Sequence, residues 1–232
     1  MNIPVLFILG GSLLLLLVLG IYFRKAIHLF FISIVYGKYS YDFLKTYKGY
    51  FIRSPFQYCF RDDFVSHLLY VLAKKDDVPS YKSYQDISFE NTCYFIDYKT
   101  FVKQRGEPFC FNAFRLQNPD CEIKAIGYQS MVNGSKAVKV FYFMNDSFFM
   151  GEYIFKNPKS MIKSALLAHF LNNESVPVDN FYIENSRERI IHYMDTGFTV
   201  DIKYLSKENK EIIDNLNEYY TKITAFRIGQ KA

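Results

Sequence analysis

Residues 122–155 contain Glu122-Ile123-Lys124-Ala125-Ile126-Gly127-Tyr128, Val132-Asn133-Gly134-Ser135 and Ala137-Val138-Lys139-Val140-Phe141-Tyr142-Phe143-Met144. Asn145-Asp146-Ser147 and Phe148-Phe149-Met150-Gly151-Glu152-Tyr153-Ile154-Phe155 follow. The first run alternates with the period of a strand, Asn133-Gly134 is the dipeptide of a tight hairpin turn, and the second run returns. Asn145-Asp146-Ser147 turns the chain again into a third strand, so the stretch predicts an antiparallel meander. Phe109-Cys110-Phe111-Asn112-Ala113-Phe114 ahead of it reads as a fourth strand. Several of these strands are apolar on both faces, and such a sheet has to be covered by helices or by a partner.

Covers are available downstream. Asn157-Pro158 reads as an N-cap with a first-turn proline, and Met161, Ile162, Ala165, Leu166, His169 and Phe170 lay out an apolar helical face ending near Leu171. Phe181-Tyr182-Ile183, Arg189 to Met194, and Phe198 to Leu205 read as further strands, with Asp195-Thr196-Gly197 as the turn before the last. A final helix is predicted from Ser206 as N-cap, with Ile212, Ile213, Leu216, Tyr219, Tyr220 and Ile223 on its apolar face. The expected fold class is α+β: a mainly antiparallel sheet of about five to seven strands with two long helices packed on one face.

Upstream the pattern changes. Asp76 to Gln85 is polar and carries Val78-Pro79-Ser80, a loop and the expected boundary of the distal domain. Before it, a helix is predicted from Asp62 or Asp63 to Lys75, with the Asp pair at the positive end of the helix dipole. From Tyr39 to Phe60 aromatic rings recur every few residues, broken by Gly49 and Ser54-Pro55.

The N-terminus carries Ile3 through Phe23 without a charge until Arg24 and Lys25. At about 1.5 Å of rise per residue, roughly twenty residues match the hydrocarbon thickness of a bilayer, so the run predicts a single transmembrane helix. It lacks the basic leading region and small-residue cleavage site of a signal peptide. Arg24, Lys25, Lys38, Lys45, Lys48 and Arg53 follow it against one acid, Asp42, which predicts a single-pass topology with the N-terminus outside and the C-terminal domain cytoplasmic. The expected organisation is therefore a transmembrane anchor over 1–25, an aromatic-rich membrane-proximal helical segment over 26–85, and an α+β soluble domain over 86–232. Ala26 to Tyr36 is too short to span and too apolar for water, which suits an interfacial or partner-bound segment. Arg24, Lys25, Phe30, Phe31, Tyr36, Lys38, Tyr39 and Tyr41 are the expected bilayer contacts, basic stems and aromatic rings at headgroup depth.

The net charge of +5 is concentrated in this region, so it argues for anionic headgroups rather than nucleic acid, for which no motif is present. The abundance of 24 Phe and 20 Tyr with no Trp reads as coding bias plus core packing. Cys59, Cys93, Cys110 and Cys121 form no C-x-x-C pair and have no histidine at metal-ligand spacing; in a cytoplasmic body they are expected to be reduced, with Cys110 and Cys121 able to bridge two strands otherwise. Asn133, Asn145 and Asn173 head glycosylation sequons that read as coincidence.

Phosphate loops, dinucleotide fingerprints, nucleophile elbows and zinc motifs are missing. Asp195-Thr196-Gly197 matches the D-T-G of aspartic proteases, but it occurs once and at a turn. His67, His169, His192 and Asp195 could supply a base only if the fold brings them together, and Cys93 and Cys110 lie in apolar stretches where thiols are inert. No catalytic residue, metal or cofactor is assigned. The expected function is an adaptor or assembly subunit of a membrane-associated complex, partnered by the bilayer and by other proteins or itself. The alternative is a membrane-tethered enzyme or ligand sensor, which requires a polar pocket.

Overall fold

A computed structural model describes residues 3–51, 54–57, 59, 78–117, 120–156, 161–172, 174–208 and 210–229. Within these, the side chains of 3–17, 22, 117, 219–220 and 222–229 are not described. The chain divides into two compact units, Met1–Pro55 and Phe56–Ala232.

The first unit holds α1 (Ile3–Tyr36) and α2 (Tyr41–Tyr50). Gly37, at a φ of 87°, ends α1 by donating its N–H to the Ser33 carbonyl. Ser40 caps α2, its hydroxyl accepting from the Phe43 N–H at 3.1 Å. The expected transmembrane helix is corrected here: among the described residues no helix is long and apolar enough to cross a membrane. The helix does not stop at its first charges. It runs on through Arg24, Lys25 and His28 to Tyr36 as one element, and that second half packs on α2. The side chains of 3–17, on which the expectation largely rested, lie outside the described residues. The single-pass topology, the placement of the N-terminus outside and of the C-terminal domain in the cytoplasm fall with the span they presupposed.

The second unit is built on an eight-stranded mixed sheet, which corrects the expected five to seven strands. Its strands are β1 (Ser80–Lys82), β2 (Cys110–Gln117), β3 (Asp120–Val132), β4 (Ser135–Met144), β5 (Ser147–Lys156), β6 (Asn180–Glu184), β7 (Arg189–Asp195) and β8 (Thr199–Ser206). Seven of these coincide with the stretches read as strands. The eighth, β1, is three residues inside the segment read as a loop, and it pairs in parallel with β6, which makes the sheet mixed.

The order β1-β6-β7-β8-β5-β4-β3-β2 joins two antiparallel meanders, β2–β5 and β6–β8, along one seam between β5 and β8. Two-residue hairpins tie β3 to β4 and β4 to β5. Asn133 and Gly134, at φ of 47° and 72°, and Asn145 and Asp146, at 48° and 66°, supply the left-handed pairs such turns need.

Helices α3 (Tyr98–Arg105), α4 (Met161–Leu171) and α5 (Lys210–Gly229) complete the described elements. The two longer ones cover opposite faces rather than one. Phe170 of α4 meets Tyr204, and Ile212 and Leu216 of α5 join Leu116, Cys121, Ile123 and Tyr142 on the other side. Helix α5 begins at Lys210, not at Ser206, which still belongs to β8 and accepts from the Glu208 N–H. The helix expected over 62–75 and the Asn157-Pro158 cap lie outside the described residues.

On the α4 side, Ile87, Phe89, Tyr94, Tyr98 and Phe101 are buried and cover the first meander. Phe89 lies against Phe141, Tyr153 and Tyr204, with ring centroids 4.9, 4.7 and 5.3 Å away. A Cβ on Gly151 would stand 2.1 Å from this ring, so only glycine leaves room for it. Edge-to-face contacts of this kind add roughly 0.5–1.5 kcal/mol per pair beyond burial.

At the seam, Glu152 of β5 stands directly opposite Lys203 of β8. Their side chains form an ion pair at 2.9 Å with 6% and 3% exposure, and Tyr142 donates its hydroxyl proton to the same carboxylate. Elsewhere Cys59 and Cys110, 51 residues apart in sequence, form a disulfide, against the expectation of four reduced thiols. Gly127 admits it: a Cβ there would lie 2.4 Å from the Cys110 sulfur. Cys121 is buried and free, its thiol pushed up to about 11 by burial and by Asp120, and Cys93 is free and exposed.

Two outcomes follow for denaturant unfolding. Lys203→Met, which strands the Glu152 carboxylate, should cost about 3–5 kcal/mol, and adding Glu152→Leu should return most of the loss. Thiol reduction of the native protein, which opens the Cys59–Cys110 loop, should cost about 4 kcal/mol by loop-closure entropy. An unchanged midpoint after reduction would show that the pair does not staple the fold.

Candidate interaction surface

The residues read as possible chemistry are dispersed by the fold. His192 on β7 is buried on the Glu152 side of the sheet, its Nε2 bonded to Asn180 Oδ1 at 2.8 Å. His169 is exposed on α4, its ring edge-on to Phe170, across the sheet from His192. Asp195 ends β7 and accepts from the Gly197 N–H at 2.7 Å, so Asp195-Thr196-Gly197 is a hairpin turn. His67 lies outside the described residues. Cys110 is tied to Cys59, which removes it as a nucleophile.

The Tyr142–Glu152–Lys203 triad is enclosed, with Tyr142 fully buried. Burial first, then the Glu152 carboxylate, hold the Tyr142 phenol well above its ordinary value. The group is a donor locked to an acceptor, suited to fixing strands rather than to meeting a substrate.

A second polar cluster lies on the other face. Glu90, at a φ of 53°, pairs with Lys139 Nζ at 2.7 Å and accepts a hydrogen bond from the Tyr153 hydroxyl. Partial burial pushes the Glu90 carboxyl up, but the Lys139 and Tyr153 hydrogen bonds and the Lys139 charge outweigh it and hold it below the ordinary value. Arg105 donates to the Glu90 carbonyl at 3.1 Å and lies over the Phe101 and Phe141 rings. These contacts pin the 86–105 segment to the sheet.

Beside α4, Lys163, Ser164, Leu167, Glu174, Ser175 and Val176 line an open depression of about 430 Å³. Its one cation, Lys163, is engaged by Asp179 and the Val178 carbonyl, and the lining holds neither His nor Cys. Among the described residues no group of three or more His, Cys, Asp or Glu side chains could hold a metal ion.

The first unit is different. Of the residues expected at a bilayer, Lys25 reaches back over the rings of Tyr50 and Phe51, at 5.7 and 6.0 Å. His28 Nδ1 meets the Tyr50 hydroxyl at 2.5 Å, and Leu29 is buried. Lys38 covers Tyr39, Lys45 covers Tyr41, and those two tyrosines are half-buried. Arg24, Phe30, Phe31 and Tyr36 are exposed. So Lys25, His28 and Leu29 define the side of α1 that α2 occupies.

Comparison with protein-family models, with curated proteins and with solved structures returns no match.

Roughly half a turn around α1 from the α2 side lie Phe23, Ile27, Phe30 and Ile34, exposed by 48, 45, 62 and 63%. With Gly20 they are spaced three and four residues apart in turn, and Val18, Leu19 and Ile21, at 56, 41 and 77% exposure, continue the apolar surface around the same helix. Phe31 and Val35 widen the stripe, at 58 and 69% exposure. Large contiguous apolar surface of this kind marks contact sites, whereas scattered single residues such as Tyr84 or Phe198 do not. Sequence reading placed Phe30 and Phe31 among the bilayer contacts and 26–36 in an interfacial or partner-bound segment, and did not register the spacing of three and four in 20–34.

The Glu90 cluster gives a pH signature. Because its folded carboxyl is held low, its contribution is present above the ordinary carboxylate value of about 4.3 and is lost as pH falls through the lower folded value. Glu90→Gln should therefore lower the melting temperature at pH 7, and the gap should close as pH falls through the lowered Glu90 value. A gap that persists or grows in acid would contradict this assignment.

Proposed function

We propose that this chain is an assembly or adaptor subunit that joins a complex through the exposed apolar stripe of α1. One observation carries the reading: α2 covers one side of the helix, and the side away from it presents Ile27, Phe30, Phe31 and Ile34 as exposed apolar side chains. Leaving such a surface in water is costly, at about 25 cal/mol per Å² of apolar area, so a partner that covers it gains that amount. The eight-stranded sheet serves as a rigid body. Its polar clusters are occupied by one another, and its apolar faces are filled by α3, α4, α5 and the 86–105 segment.

The reading is tested by isolating the tagged full-length chain from its native cell in mild non-ionic detergent, beside a Phe30→Glu/Ile34→Glu variant. The expected result is a stoichiometric complex, of like or unlike chains, that is lost in the variant while the variant stays folded by circular dichroism. A chain that emerges as a monomer in both forms would overturn the reading.

A further inference from the structure

We propose that the second unit matures in an oxidising compartment as a substrate of thiol–disulfide exchange, and keeps Cys59–Cys110 there as a permanent bond.

The pair is built into the fold from both sides. Gln57 bridges to Cys110 in parallel, its carbonyl accepting from the Phe111 N–H at 3.2 Å, and the Phe56 ring stands edge-on to Phe111 with centroids 5.3 Å apart. That pairing lays Cys59 beside the start of β2, where the two cysteine Cα atoms are 5.1 Å apart, within the range a disulfide needs. Opposite Cys110, Gly127 sits in the interior of β3, a place where glycine weakens a strand. A Cβ there would lie 2.4 Å from the Cys110 sulfur and 3.3 Å from that of Cys59, so the glycine leaves the space that both sulfurs fill.

Burial decides what kind of bond this is. Cys59 and Cys110 are 6% and 1% exposed. Disulfides that switch or catalyse are open to attack by a thiolate, whereas an enclosed one persists and is characteristic of oxidising compartments. The other two cysteines are kept away from it. Cys121 stands opposite Leu116, six residues along β2 from Cys110, which is about 20 Å at the rise of a strand. It is also buried, with its thiol pushed up to about 11, so little of it is thiolate. Cys93 is on the surface while the bond is inside. Once the fold has closed, neither free thiol can exchange into the bond.

Before it closes, chain statistics run the other way. The loop from Cys59 to Cys93 is two thirds as long as the native one, that from Cys93 to Cys110 one third, and that from Cys110 to Cys121 about one fifth. Loop-closure entropy therefore favours these pairs over the native pair by roughly twofold, fivefold and tenfold. Wrong bonds form first, so the reaction that supplies the native bond is exchange with a dithiol–disulfide oxidoreductase. One cysteine thiolate attacks the catalyst's disulfide, forming a mixed disulfide and releasing the catalyst's second thiolate. The partner cysteine's thiolate then attacks the protein sulfur of that mixed disulfide and expels the reduced catalyst. Two electrons and the two thiol protons pass from Cys59 and Cys110 to the catalyst, which leaves as a dithiol. A misplaced bond is reopened by the same steps in reverse.

The test is a thiol count on the full-length chain in its native cells. The cells are quenched in acid, free thiols are blocked with N-ethylmaleimide in denaturant, and the protein is then reduced and labelled with a heavier maleimide. The expected result is two labels of each kind, with the heavier pair on Cys59 and Cys110. Four N-ethylmaleimide labels would overturn the oxidising compartment, and a heavier label on Cys93 or Cys121 would overturn the permanent pairing. The exchange step is read by refolding the reduced chain in a glutathione buffer. Adding protein disulfide isomerase, or using a Cys93→Ser/Cys121→Ala variant, should bring in the native bond several-fold faster. Rates unchanged by both would overturn the exchange step.

Discussion

The body of this protein depends on one buried ion pair. Two meanders that could each satisfy their own hairpins meet along β5 and β8, and at that junction the ladder carries Glu152 against Lys203 with Tyr142 closing the second carboxylate oxygen. Taking both charges out of water is expensive, so the pair contributes little net stability compared with apolar residues of the same size. Its physical effect lies in register. A slip of two residues would bring Lys203 opposite Met150 or Ile154 and leave two buried charges apart. The alternatives are thereby made costly, and one alignment of the two meanders remains.

Around that seam the two faces are filled differently. One face stacks aromatic rings from the 86–105 segment and α4 onto Phe141, Phe143, Tyr153 and Tyr204. The other packs aliphatic and sulfur side chains, Ile123, Met144, Met150 and Leu205, beneath Ile212 and Leu216. Many of the Phe and Tyr rings are thus packed on this face, where Gly151 leaves the room that the Phe89 ring occupies. Among the described residues, the exposed large apolar side chains are concentrated on α1, while the buried ones fill both faces of the sheet.

The strands were legible because alternation and turn dipeptides are local signals. Asn133-Gly134 and Asn145-Asp146 both form the hairpins their residue types demand. β1 was hidden because three residues carry no period, and only pairing with β6, a hundred residues later, makes it a strand. Helix α3 carried a readable signal that was passed over: Asp97 caps Thr100 and Gly106 terminates the helix at a φ of 78°. The Glu152–Lys203 pair and the Cys59–Cys110 bond are long-range, so nothing in their local sequence announces them. At the N-terminus the apolar run was legible but not its meaning, since hydropathy alone does not separate lipid from a second helix. The α2 contacts to Lys25 and His28 show which side of α1 is already occupied, which no local pattern announces.

The most direct measurement of the central claim, that the α1 stripe is covered in the working protein, is hydroxyl-radical footprinting of the native full-length chain read by mass spectrometry. The account predicts that Phe23, Ile27, Phe30 and Ile34 are protected although they are exposed in the single chain, while the equally exposed Tyr84 and Phe198 are heavily labelled. Labelling of the stripe at the level of Phe198 would contradict it.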